Sequence, residues 1–176
     1  MVTIPLTQGK VAVVDDEDAE LSQLRWHVLP GRRTTYAKRN ARRDDGREET
    51  ELLHRVIWAR AHPGEPVPPS LDHRDGDGLN CRRGNLRPAT SAQNAHNRRP
   101  DVDNTSGFKG VCWDKRYCRW RAQIGVTIEG DRTNRWLGDF ATLEDAARAY
   151  DQAARLFFGA FACVNFPGPQ ERGANP

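Results

Sequence analysis

The sequence predicts an α+β chain assembled from small modules, and three features point that way. Its 176 residues are only 37% hydrophobic and 29% charged, with a mean hydropathy of −0.80. Little apolar surface is therefore available to offset the entropy of ordering one large domain. Short segments alternating with period two are interspersed with brief amphipathic stretches, which is the pattern of small sheets with single helices. Polar stretches rich in proline, glycine and aspartate divide the chain into successive regions.

Residues 1–53 form the first, β-rich region. "KVAVVD" reads as a strand, "DEDAELSQLRW" as an acidic helical turn and "TTYAKRN" as a second strand. "RRDDGRE" carries the Asp-Gly signature of a hairpin turn. Residues 54–99 form the second region, and "LLHRVIWARA" runs across its start. Leu52, Leu53, Val56, Ile57 and Trp58 fall within two turns of one helix. "HPGEPVPP" stops that helix because proline cannot continue it. Leu71–His73 and "LRPAT" follow as short strands. Thr90 and Gln93 then have capping-box spacing for a helix carrying Gln93, Asn94 and Asn97.

Residues 100–106 read as a polar linker. Residues 107–167 offer three strands, "FKGVCWD", "CRWRAQIGV" and "TNRWLGDF", which would form an antiparallel sheet packed on one helix, "LEDAARAYDQAARLFF". Thr142 caps that helix and Gly159 ends it. Leu143, Ala146, Ala147, Tyr150, Ala154 and Phe157 share one of its faces. Residues 168–176 are expected to be a disordered tail.

No apolar run approaches the roughly 20 residues that span a bilayer, and the amino terminus lacks an apolar signal core. The expectation is an intracellular protein that is not secreted and has no membrane partner. Cys81, Cys112, Cys118 and Cys163 make no C-x-x-C pair and read as reduced thiols. The net charge is only +3, but acids crowd the first 25 residues and arginines the remainder. A basic majority of this kind suits a polyanion partner.

The stretch "LDHRDGDGLNCRRGNLR" concentrates the chemistry. With Asp72 and His73 ending one strand and Asn94 in the first turn of the next helix, the three are expected to converge. A carboxylate and an amide oxygen are hard ligands suited to Mg²⁺ or Mn²⁺. An uncoordinated imidazole beside them can take a proton from water, which gives a hydrolytic site. "DGDG" resembles the start of a calcium loop, but Leu86 stands where the bidentate glutamate would be required. In the third region, period two places Trp120, Ala122 and Ile124 toward the helix and Arg119, Arg121 and Gln123 on the opposite face, joined by Asn134 and Trp136. Guanidinium forks, amides and a ring on one sheet face make a plausible surface for reading DNA. Trp120 and Tyr150 read as packing residues.

The Asp-His pair, the "DGDGLN" loop, Asn-Leu-Arg and the helical Asn94 together resemble the HNH nucleases, specifically their phage and intron homing branch. "LHRVIW" and "LTQGKVAVVDDED" extend the likeness over nearly all of residues 1–99. The resemblance implies a ββα-metal module with His73 as general base, Asp72 and Asn94 as metal ligands, and Asn85 as the residue that fixes the loop. His96 and Asn97 remain alternatives for the second ligand. His54 is either a contributor to the site or a packed helix residue.

"GFKGVCW", "RWRAQI", "RWLGDFATLEDAARAYDQAARLFFG" and "NFP" resemble the ethylene-response-factor DNA-binding domain of the APETALA-two type over residues 107–167. That likeness implies base contacts from Lys109, Arg121, Gln123, Asn134 and Trp136, with Arg116 and Arg119 on phosphates. Cys112 and Asn134 stand where the pattern usually has arginine, so plant sequence preference does not carry over.

Together the two halves imply a metal-dependent homing endonuclease acting on double-stranded DNA in the cytoplasm of a phage-infected bacterium. It would nick, or cut both strands, as a monomer or homodimer. The alternatives are a non-catalytic DNA-binding regulator on a nuclease scaffold and an RNA-binding accessory protein. The latter lacks the exposed aromatic pairs that stack single strands.

Overall fold

The computed structural model describes residues 1–31, 34–43, 45–100, 103–128, 131–169 and 171–174. It has the expected α+β character, with small sheets and few helices. The chain forms two compact units, Met1–Ser91 and Ala92–Pro176.

In the first unit, β1 (Val2–Pro5) and β2 (Val11–Val14) pair antiparallel. A 3₁₀ helix, Asp16–Gln23, follows them. β3 (His27–Pro30), β4 (Thr35–Arg42) and β5 (Glu48–Leu52) make a three-stranded antiparallel sheet. Its β4–β5 connection includes Gly46 at φ 82, a backbone value that a glycine adopts without strain. α1 (Leu53–Ala61) then leads through the proline-rich stretch to an antiparallel pair, β6 (Leu71–His73) and β7 (Leu86–Pro88).

The core of this unit gathers Ile4, Ala12, Val14, Leu21, Trp26, Leu53, Ile57 and Cys81. α1 buries Leu53, His54 and Ile57, whereas Val56 and Trp58 are only partly covered. A fully buried carboxylate, Asp18, fastens the 3₁₀ helix to the rest of the unit. Its Oδ1 accepts from Arg60 Nε at 2.9 Å and Arg83 Nη2 at 3.0 Å, and its Oδ2 accepts from Arg83 Nε at 2.8 Å. Burial pushes this carboxyl up, but the hydrogen bonds from Arg83 and Arg60 outweigh burial and hold it below its ordinary value.

The second unit takes in α2 (Ser91–His96) beyond its first residue, then β8 (Val111–Asp114), β9 (Arg119–Ile128) and β10 (Asp131–Phe140), in the order β10-β9-β8. α3 (Leu143–Phe158) packs across one face of this sheet. Thr142 Oγ1 accepts from the Asp145 N–H, and Gly159 at φ 51 closes the helix. The buried face of α3 comprises Ala146, Ala147, Tyr150, Asp151, Ala153 and Ala154. The alanines let the helix lie close to the sheet. At Gly110, φ 76, an added Cβ would run into the Tyr150 ring, so only glycine fits there.

Two expectations need correction. Phe157 is 40% exposed; it lies under the Arg135 guanidinium, and Phe158 packs against the core in its place. The region expected to be a disordered tail contains β12 (Arg172–Gly173), paired in parallel with β11 (Cys163–Val164). Arg155 holds Glu171 through two hydrogen bonds and Ala174 N donates to Val164 O, so this tail is tied down. The compact units divide at Ser91, and within the second unit α2 is engaged through His96. His96 stacks on Phe158 at 3.8 Å, and Lys109 Nζ donates to the carbonyls of His96 and Arg98.

Asp151 organises the end of the second unit. Its carboxylate accepts from Asn165 N at 2.6 Å and Phe166 N at 2.7 Å. Asn165 in turn bonds Lys109 N and O and Ala147 O, which joins the chain's end to the start of the sheet.

Candidate functional site

Asp72 and His73 sit on β6 opposite Arg87 and Leu86 of β7. Both Asp72 and His73 are buried. Arg87 donates from Nε and Nη2 to Asp72 Oδ2 at 2.8 and 2.7 Å. This buried guanidinium fixes the orientation of the carboxylate, and removing one partner of such a pair would leave an uncompensated buried charge. Arg87 was not anticipated as a site residue. Its signal was the arginine of Asn-Leu-Arg, whose place directly across from Asp72 follows once the two strands pair.

His73 lies in a ring cluster that the sequence did not reveal. His54 from α1 meets it edge to face, with centroids 5.1 Å apart, and Tyr36 from β4 lies 5.9 Å from His73 and 5.5 Å from His54. Burial pushes the His73 pKa down, while Asp75, Asp72 and Asp77 pull it up; the net direction is downward. Burial, followed by the nearby His73 and Arg55, lowers His54 to about 3. His54 is therefore a neutral imidazole near pH 7. It is packed under the site, and its Nδ1 has no hydrogen-bond partner among the described residues.

Asn85 ties the intervening loop. Its Nδ2 donates to Asp75 Oδ1 at 3.0 Å and Asn80 O at 2.7 Å, and its Oδ1 accepts from Asp75 N at 3.2 Å. Asp75 Oδ2 takes a further bond from Asn80 Nδ2, and Asp77 Oδ1 accepts from Leu79 N. The acidic glycine turn is thus closed upon itself. Gly78 brings this loop against β4: its N–H donates to Thr34 Oγ1, and an added Cβ would meet Thr35 O and the Tyr36 ring.

Asn94 lies on α2 and belongs to the second unit, as do His96 and Asn97. His96 is engaged through its stack on Phe158, and burial, then Lys109 and Arg132, lowers its pKa. Among the described residues, no three His, Cys, Asp or Glu side chains gather into a group that would hold a metal.

On the second unit's sheet, Ala122 and Ile124 are buried toward α3, and Arg119 and Gln123 are exposed on the opposite face. Trp136, opposite Gln123, is 65% exposed. Asn134 lies over Gly125, where a side chain would crowd its Oδ1. Trp113 is half-exposed and meets Trp120 edge to face at 4.9 Å. Arg116 is exposed over the Tyr117 ring. Arg121 is engaged: its Nη2 lies 2.6 Å from Asp114 Oδ2 and its Nε donates to Asp139 Oδ1 at 3.1 Å. Lys109, expected on DNA, commits its ammonium to the carbonyls that end α2. The four cysteines are free thiols, with Cys81 and Cys163 buried and Cys112 and Cys118 exposed.

Comparison with known proteins assigns these two regions. Residues 51–96 match the HNH endonuclease family, and residues 106–160 match the AP2 domain. The chain is 38% identical over 81 residues to Protein 3.8 of Escherichia phage T7, an overlap covering 46% of this chain and 65% of that protein. It is 48% identical over 65 residues to an ethylene-responsive transcription factor of Arabidopsis thaliana, covering 37% of this chain and 24% of that protein. A dehydration-responsive element-binding protein of Oryza sativa subsp. japonica is 49% identical over 60 residues, covering 34% and 18% respectively. The chain thus spans less than two thirds of the length of each relative. It carries an HNH endonuclease domain at residues 51–96 joined to an AP2 domain at residues 106–160.

Proposed function

We propose that this chain is a metal-dependent, site-directed endonuclease of homing type that hydrolyses phosphodiester bonds in double-stranded DNA. The observation that carries this reading is the presence of an HNH endonuclease domain and an AP2 domain in one chain. One module supplies hydrolytic chemistry and the other a surface for duplex DNA. Sharing 38% identity with a phage protein favours work in the cytoplasm of an infected bacterium. Among the described residues, no helix is long and apolar enough to cross a membrane. A monomer would nick, and a homodimer would cut both strands.

His73 is the general base. One of its imidazole nitrogens takes a proton from the attacking water, the water oxygen bonds to phosphorus, and the bond to the leaving sugar oxygen breaks. His54 and Tyr36 support the ring, and Arg87 aims the Asp72 carboxylate. Asn85 keeps the loop after His73 closed.

The donor chemistry fits Mg²⁺ or Mn²⁺. Such ions are held by one or two carboxylates together with waters and phosphate oxygens, with no need for a cage of protein ligands. The Asp72 carboxylate and the Asn94 amide oxygen would hold the ion; the assignment of Asn94 rests on the order of the motif. When bound, the cation supplies Lewis-acid stabilisation of charge on the scissile phosphate.

Arg121, Gln123, Asn134 and Trp136 face bases, and Arg116 and Arg119 face phosphates. Lys109 is assigned to the base-facing set by likeness, with its ammonium also donating to the carbonyls of His96 and Arg98. Incubating supercoiled plasmid with the full chain and Mg²⁺ or Mn²⁺ tests the proposal by yielding relaxed or linear DNA. His73→Ala should slow cleavage by about 10²- to 10⁴-fold while leaving DNA retardation intact. Retarded but uncut DNA with the unaltered chain in both metals would instead identify a non-catalytic regulator.

A further inference from the structure

The exposed sheet face of the second unit contains a bridge across its three strands that a regular ladder would not build. Trp136 pairs with Gln123 and Gly138 with Ala122, so Leu137 is an extra residue in β10. Without it, residues 136 and 139 would point to opposite faces. With it, both reach the same face, and Trp136 Nε1 approaches Asp139 Oδ1 at 3.4 Å. The bulge thereby brings a carboxylate to lie directly across from Arg121.

The atoms of this bridge are unequally used. Asp114 is engaged at both oxygens: its Oδ1 accepts from Arg116 N and Tyr117 N, and its Oδ2 takes the Arg121 Nη2 contact. Asp139 Oδ1 accepts from Arg121 Nε and Trp136 Nε1. Asp139 Oδ2 and Arg121 Nη1 make no hydrogen bond among the described residues. An acceptor and a pair of donors are therefore left over on two facing residues of one sheet face, with the guanidinium oriented in advance by two carboxylates.

We propose that Asp139 is a specificity-determining residue, and that it and Arg121 together read one G·C pair in the major groove. A G·C pair presents the guanine N7 and O6 acceptors beside the cytosine N4 donor. Arg121 Nη1 supplies donors to guanine, and Asp139 Oδ2 accepts from cytosine. An A·T pair turns an adenine N6 donor toward the guanidinium and leaves the carboxylate facing a carbonyl or a methyl group. Two carboxylates flanking Arg121 also repel phosphates, so the bridge favours base edges over backbone. This assignment rests on the proposal that the sheet face lies on duplex DNA.

The test is selection of bound duplexes from a randomised pool by the full chain, by Asp139→Ala and by Asp139→Asn, with circular dichroism as a check on folding. The unaltered chain should select a G·C pair at one position, by about 10-fold or more over the other pairs. Asp139→Ala should flatten that position to within about 3-fold while the other positions persist, and should hold random duplex at least as tightly, since a repulsive charge is gone. Asp139→Asn keeps the shape and offers an amide, so its preference should move toward A·T. If both variants select the same G·C pair as the unaltered chain, Asp139 does not read it. If the unaltered chain binds no duplex or enriches no sequence, the sheet-reading proposal beneath this one fails instead.

Discussion

Replacing Asp151 with alanine should strongly destabilise the second unit, and the size of the effect can be worked from its two bonds. Asp151 is 1% exposed and accepts from the N–H groups of Asn165 and Phe166. Alanine offers neither bond. The Asn165 N–H is buried and would remain unsatisfied at a cost of about 2–3 kcal/mol, whereas the Phe166 N–H is only part-buried and would cost about 1 kcal/mol. The sum, about 3–4 kcal/mol, compares with roughly 4–13 kcal/mol of total stability for a unit of this size. It should lower that unit's melting temperature by about 12–30 °C. Hydrogen exchange read by mass spectrometry separates the two units. Protection should fall across residues 143–166 while the Ile4 and Trp26 region keeps its own. A loss under about 0.5 kcal/mol, or an equal loss in both units, would refute the view that Asp151 closes this unit.

Two further outcomes follow from contacts already described. The Asp18 carboxyl is held below its unfolded value, so its stabilisation is complete above about pH 4 and disappears as pH falls through the depressed folded value. Acid titration of stability should show this loss. Asp18→Asn should flatten the dependence, and an unchanged acid limb would remove Asp18 as its source. Removing residues 107–176 deprives α2 of Lys109 and Phe158. Amides 93–97 should then lose hydrogen-exchange protection while the core around Trp26 retains it. Undiminished protection of those amides would mean that α2 stands without the second unit.

Elements set by neighbouring residues were readable from the sequence. Thr142 caps α3, Gly159 ends it, the proline-rich stretch stops α1, and period two assigns Ala122 and Ile124 to the buried face. What escaped were pairings between distant residues. The burial of the Arg87 guanidinium against Asp72 follows only once β6 and β7 pair. Asp151 looks like an ordinary helical acid until the chain returns at Asn165. The extra residue at Leu137 leaves no local mark, because a bulge is defined only by the partner strand. Lys109 was assigned to DNA by likeness, and its reach to two carbonyls is visible only in three dimensions. At the site, the motif supplied Asp72, His73 and Asn85. It did not supply the rings of Tyr36 and His54, which come from other elements.

The Asp18 fastening also sets an order of events during synthesis. Its partners Arg60 and Arg83 follow it by 42 and 65 residues. The outer edge of β2 waits equally long, since Val13 bonds Leu79 and Cys81. At a ribosomal pace of about 5–20 residues per second, the acidic 3₁₀ helix spends roughly 3–13 s before Arg83 has been made. The β1–β2 pair has nothing to close against until then, and the sheet β3-β4-β5 is synthesised in between. The amino-terminal unit is therefore assembled by its own last strands. A ribosome stalled before residue 83 would carry an open unit with its buried acid still in water.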